Sequence, residues 1–170
     1  MNRLWPQMAS GAALLALLAP CAHAYGYPPV EEEVAAHVEV CIAKVVDGYE
    51  DGAKCVGIIF NACEGNAGTT YSMSACYMQE RDFWQSMIDQ TLPEVLKAYD
   101  ADDRRTISGE PLSDSLAKSQ DAWTVHMQAQ CRFAYDEMGT GSMRNITAGV
   151  CFRNLTAERA LFLRGLNAQR

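Results

Sequence analysis

The stretch SDSLAKSQDAWTVHMQAQCRFAYDEM, residues 113–138, decides the fold. Leu116, Gln120, Trp123, Met127, Cys131, Ala134 and Met138 recur along it, six steps over 22 residues or 3.67 per step, against a helical period of about 3.6. The spacing predicts a long amphipathic helix, capped by Ser113, that forms the core of the fold. Gly139-Thr140-Gly141-Ser142 ends it and starts a segment with Ile146, Val150 and Cys151. Thr156-x-x-Arg159 is then expected to open a final helix bearing Leu161, Leu163 and Leu166.

Upstream, the same logic yields more helices. Val34, Val38, Cys41, Val45 and Tyr49 repeat at three- and four-residue steps, and residues 31–33 place three glutamates where a helix dipole favours negative charge. Asp47-Gly48 and Asp51-Gly52 punctuate before a brief apolar helix with Cys55, Ile58, Ile59 and Phe60, which ends at residues 65–68 (GNAG). Thr69 or Thr70 then caps a longer helix with Met73, Cys76, Tyr77, Glu80, Phe83, Trp84, Met87 and Ile88. Pro93 is expected to kink it or to force a restart through a Thr91-x-x-Glu94 capping box, running to about Tyr99. Residues 100–111 (DADDRRTISGEP) read as a polar surface loop. Alternating strand patterns and internal repeats are absent from the sequence, so the expected class is all-α, a small helical bundle.

The 170 residues are 49% apolar and carry a net charge of −7, which suits one globular domain and disfavours a phosphate backbone as partner. Residues 1–24 read as a secretory signal. Arg3 precedes an uncharged run at residues 9–19, too short to span a bilayer, and Ala22-His23-Ala24 is a small-x-small cleavage site. Cleavage after Ala24 leaves 25–170 as a single domain whose residues 30–62 form an N-terminal helical extension, and it takes the charge to −8. Cys21 sits where a lipoprotein is acylated, but the preceding Pro20 makes a poor protease subsite. Residues 25–29 (YGYPP) exclude helix.

Six cysteines remain in the exported chain, an even number that implies a disulfide framework. Local pairing favours Cys131 with Cys151 first, 20 residues apart. Cys41 with Cys55 and Cys63 with Cys76 come next, and a crossed arrangement among those four stays open. Loops of this size contribute about 3 kcal/mol each in the chain-entropy picture.

Enzyme signatures are absent from the sequence: no GxSxG, no HExxH, no glycine-rich phosphate loop and no thiol left over for a nucleophile. His126 stands at the edge of the helical stripe, a boundary position rather than a catalytic one. No cofactor or metal is expected, since the mature chain offers only His37 and His126 and no CxxC pair. Asn145-Ile146-Thr147 and Asn154-Leu155-Thr156 match the glycosylation pattern, read here as coincidental.

The ordered series Gln120-x-x-Trp123, Cys131, Gly141-Ser142, Cys151 and Thr156-x-x-Arg159 closely resembles the LprI-type lysozyme-inhibitor family over about residues 60–166, with Cys63, Cys76, Glu80 and Asp82 fitting its opening segment less tightly. Where the family commonly has an aromatic residue and then arginine, this chain has His126 and Met127, and residues 84–90 (WQSMIDQ) lack the family's Leu-Asn-x-x-Tyr stretch. The resemblance implies an α-helical, exported, disulfide-bonded binding module that in some members inhibits lysozyme. The motif residues themselves have a structural reading: Trp123 and Leu116 fill the core, Gln120 satisfies buried backbone groups, the cysteines tie helices, and Arg159 pairs with a helix terminus or an acid. None of these residues marks a partner-binding surface.

The leading expectation is therefore a periplasmic or secreted protein that binds a protein partner, a basic lysozyme-like enzyme, without catalysis of its own. A net charge of −8 would speed encounter with such an enzyme at low salt. Glu64, Asp100, Asp102, Asp103 and Glu110 are the acidic candidates on exposed loops. The alternative is an envelope assembly or stability module that inhibits nothing. A hydrolase would require convergent carboxylates in a cleft.

Overall fold

A computed structural model of the chain describes residues 29–46, 51–64 and 68–169. The expected export signal with Cys21, the leader at 25–28, the Asp47-Gly48 break with Tyr49 and the break at 65–67 lie outside the described residues, as does the side chain of Glu64. Helix α1 spans Glu32–Val46, a 3-10 turn Gly52–Cys55, α2 Ile58–Glu64, α3 Thr70–Ala101, α4 Leu112–Glu137 and α5 Met143–Ala168. The described residues contain no strand, only an isolated bridge between Arg105 and Pro111. The class is all-α, as the periodicities predict.

Helix α1 starts with Glu32 and Glu33 in its first turn, and inserts Val38 and Ile42 fully into the core. Asp51 caps the 3-10 turn, its carboxylate accepting the Ala53 N–H at 3.0 Å. Gly57, at φ +101°, allows the chain to swing into α2. At the start of α3, Thr69 and Ser72 form a reciprocal capping box.

The core lies between α3 and α5, with α1 and α2 closing one side. Trp84, Ile88 and Val95 from α3 meet Ala157, Ala160 and Leu163 from α5, all at or near zero exposure. Helix α4 is peripheral, contrary to the expectation that it forms the core. Only Ser113, Leu116 and Cys131 are buried along it, Trp123 packs partly buried against the core, and Met138 is 43% exposed. A regular stripe fixes which face turns inward, but how much it buries depends on side-chain volume. Gln120, Cys131 and Ala134 supply little.

Three boundaries differ from the sequence reading. Helix α3 runs unbroken through Pro93. Pro93 is exposed, as is Asp89, whose carbonyl loses its donor to the ring and remains near water, while Ile88, Thr91 and Val95 are buried around it. Tertiary packing thus outweighs a local cost of about 3 kcal/mol, and Thr91 is a buried interior residue rather than a cap. Ser113 does not cap α4: the helix starts at Leu112 behind Pro111, and the Ser113 hydroxyl donates to the Asp100 carboxylate, tying the end of α3 to the start of α4. Thr156 opens no helix. It lies inside α5, buried, its hydroxyl donating to the Phe152 carbonyl at 2.7 Å, so its polarity is satisfied within the helix.

The sulfur pairs are Cys41 with Cys55, Cys63 with Cys76, and Cys131 with Cys151, at Cα separations of 5.7, 5.6 and 5.4 Å. They tie α1 to the 3-10 turn, α2 to α3, and α4 to α5.

Candidate partner-binding surface

The connection between α3 and α4 is the best-built exposed feature of the described chain. Asp102 ends α3, and Asp103 follows at φ +47°, a left-handed conformation that aspartate adopts more readily than most residues. The chain then folds back on itself: the Thr106 N–H donates to the Glu110 carbonyl and the Leu112 N–H to the Arg104 carbonyl, both at 2.8 Å. The Gly109 N–H closes the tip onto the Thr106 carbonyl at 2.9 Å, with Gly109 at φ +88°.

Side chains lock the same turn. The Thr106 hydroxyl accepts the Glu110 N–H at 3.1 Å and contacts the Ser108 hydroxyl at 2.9 Å. Arg105 donates to the Asp103 carboxylate at 2.8 Å and to the Gly109 carbonyl at 3.3 Å. Arg104 lies over the Tyr99 ring at 5.3 Å, and Lys118 reaches back from α4 to Glu110. The Glu110 carboxylate holds the Lys118 ammonium above its ordinary pKa, first through the hydrogen bond and then through charge.

The product is a short rigid projection with Ile107 at its tip, 111% exposed relative to an extended reference. Asp100, Asp102 and Asp103 are exposed around its base and Glu110 is half-buried. Residues 100–114 hold five carboxylates against Arg104 and Arg105. An apolar tip on a pre-ordered acidic frame loses little conformational entropy on docking.

The residues of the Gln120 to Arg159 motif series gather elsewhere, between α4 and α5. Arg159, 8% exposed, donates through Nε to Gln120 Oε1 at 2.8 Å and through Nη2 toward the Ser119 hydroxyl at 3.4 Å. Its guanidinium lies over the rings of Phe162 and Trp123, at 5.1 and 5.9 Å. The expected helix terminus or acid is therefore replaced by a neutral amide, and Gln120 spends its carbonyl on a side chain rather than on backbone. Burial pushes the Arg159 pKa down from its ordinary value. Gly141 and Ser142 lie exposed in the α4–α5 turn, with Ser142 at the start of α5 without a side-chain cap bond. His126 is exposed. Gln120, Trp123, Arg159 and Phe162 thus meet between α4 and α5, while Gly141, Ser142 and His126 stand outside that contact.

Sequence reasoning assigned no role to Glu80. Its carboxylate is fully buried and accepts the backbone N–H groups of Gly57 at 2.6 Å and Phe60 at 3.0 Å and the Trp84 indole N–H at 3.2 Å, with Arg153 at 3.9 Å. Arg153 in turn lies 4.9 Å over Tyr77, whose ring stacks on Phe60. A carboxylate on the inward stripe of α3, at a position that also fits the family's opening segment, is the signal that pointed here.

Hollows are present among the described residues. One of about 330 Å³ lies between the start of α1 and the α2–α3 pair, lined by Val30, Val34 and Ile59. Another of about 160 Å³ is bordered by the Arg164–Glu39 ion pair. Among the described residues no group of histidines, cysteines and carboxylates is placed to hold a metal ion, and no helix is long and apolar enough to cross a membrane.

A family model described as lysozyme inhibitor LprI matches residues 61–163, from the middle of α2 to the last turns of α5. No curated protein and no solved structure matches the chain.

Proposed function

The chain belongs to the LprI lysozyme-inhibitor family, and from that premise we propose that it is an exported binding protein that inhibits a lysozyme or another peptidoglycan-cleaving enzyme. The observation that carries the reading is the projection at 103–111, whose backbone and side-chain hydrogen bonds hold Ile107 out in solvent within an acidic frame. A glycan-cleaving enzyme has a long open cleft, and a basic one attracts a chain of net charge −7. A stiff tip that enters such a cleft obstructs the substrate without chemistry of its own. The disulfide framework supports function outside the cytoplasm, where such bridges persist.

The test is the lytic rate of a panel of lysozymes on cell-wall substrate with increasing oxidised protein, at low and at high ionic strength. Inhibition of at least one basic lysozyme that weakens with salt is expected. Failure to inhibit any, with no salt-sensitive binding, would favour the alternative, an envelope assembly or stability module that shares the fold without the activity.

A further inference from the structure

Helix α4 carries a second stripe on the side facing away from α5. Ala122, Val125, Ala129 and Phe133 recur at steps of three, four and four residues and all four are exposed, Val125 at 68% and Phe133 at 67%. No described residue of the chain covers this face. Along one side of it the charges run Lys118, Asp121, Arg132, Asp136 from the N-terminal to the C-terminal end.

We propose that this face pairs two copies of the chain, α4 against α4 in antiparallel register, about a two-fold axis near Met127. The order of charges selects this occupant and this direction. Antiparallel pairing centred there sets Val125 beside Ala129 of the other copy, Lys118 beside Asp136, and Asp121 beside Arg132. A parallel pairing would turn this row of charges toward the opposite flank of the partner helix and form neither pair. A two-fold contact of this kind is self-complementary, as an isologous interface requires, and the apolar steps of three and four are those of a helix seam. Lys118 and Arg132 already have carboxylate partners within their own chain, Glu110 and Asp136. Pairing thus redistributes exposed ion pairs rather than burying lone charges.

One helix pair covers less than the ~1,600 Å² of a typical stable interface, so the dimer is expected to be weak, with Kd in the micromolar range. Its geometry places the two 103–111 projections at opposite ends, roughly 45 Å apart from the helical rise, each free to meet its own partner. The inference is independent of what those projections bind.

Sedimentation velocity of the oxidised chain alone, from low micromolar to near-millimolar concentration, tests it. The expected result is a concentration-dependent shift from monomer to dimer, weakened about tenfold or more by Val125→Asp with Phe133→Asp. Lys118→Asp alone and Asp136→Lys alone should each weaken pairing, and the two together should restore it. A chain that stays monomeric throughout, a dimer indifferent to Val125→Asp with Phe133→Asp, or a charge exchange that fails to restore pairing overturns the proposal.

Discussion

The Glu80 carboxylate, without solvent exposure, accepts the Gly57 backbone N–H at 2.6 Å across 23 residues of sequence. With the Phe60 N–H on its other oxygen, it acts as a remote cap for α2, a helix of seven residues too short to hold itself. Glu80→Ala is expected to cost about 3–5 kcal/mol, because three buried donors, the Gly57 and Phe60 N–H groups and the Trp84 indole, lose their acceptor together with Arg153. Glu80→Gln keeps one carbonyl and should cost about 1.5–3 kcal/mol. Urea denaturation with the bridges intact measures both.

Glycines at two points of α5 should respond with opposite sign. A Cβ on Gly149 would lie 2.9 Å from the Tyr77 Cβ, too close for two carbon atoms that cannot rotate away. Gly149→Ala should push α3 and α5 apart and lose about 1–3 kcal/mol, helix propensity notwithstanding. At Gly165 a Cβ meets nothing within 4 Å, and Gly165→Ala should add about 0.5–1 kcal/mol. Denaturation midpoints of the two variants give the comparison directly.

The peripheral place of α4 makes its bridge disproportionately important. Beyond Leu116 its one buried side chain is Cys131, bonded to Cys151 of α5. Replacing both by serine should cost about 2–4 kcal/mol. Hydrogen exchange should rise first over residues 123–138, before α3 is affected. Uniform loosening of all helices would contradict this division.

Asp82 supplies a pH dependence. Burial raises its carboxyl pKa, only partly offset by Arg81 at 2.9 Å. The folded chain therefore binds this proton more readily than the unfolded one, and stability falls as pH rises from the ordinary carboxylate value through the raised one. Above that window the penalty is constant. Asp82→Asn should raise the urea midpoint at neutral pH, by a small amount because the side chain is 47% exposed, and the gain should vanish in acid.

What the sequence disclosed and what it hid divide along physical lines. Helical class and the inward faces of α1, α3 and α4 follow from periodicity, which reports a property of one helix at a time. The rank of the helices in the core does not: the regular stripe of α4 promised the centre, yet α3 and α5, less regular, bury more volume through Trp84, Ile88 and Leu163. Ser113 and Thr156 are good caps by type, but the Ser113 hydroxyl found a tertiary partner in Asp100, and Thr156, placed inside α5, turned its hydroxyl back onto the Phe152 carbonyl of its own helix. Pro93 is tolerated because its neighbours are anchored from outside the helix. The acidic loop was legible from composition. Its rigidity was not, since it arises from bonds between Thr106, Glu110, Arg105 and Asp103 that follow from no spacing rule.

The most direct measurement compares inhibition of a basic lysozyme by the wild-type chain with that by Ile107→Asp and by Asp102→Lys, at fixed low ionic strength. If the projection is what enters the cleft, Ile107→Asp should raise the inhibition constant by about tenfold or more, and Asp102→Lys should mainly slow association. Stability of both variants should stay unchanged, because neither side chain is buried. Undiminished inhibition by Ile107→Asp would contradict the account and move the binding surface away from the α3–α4 connection.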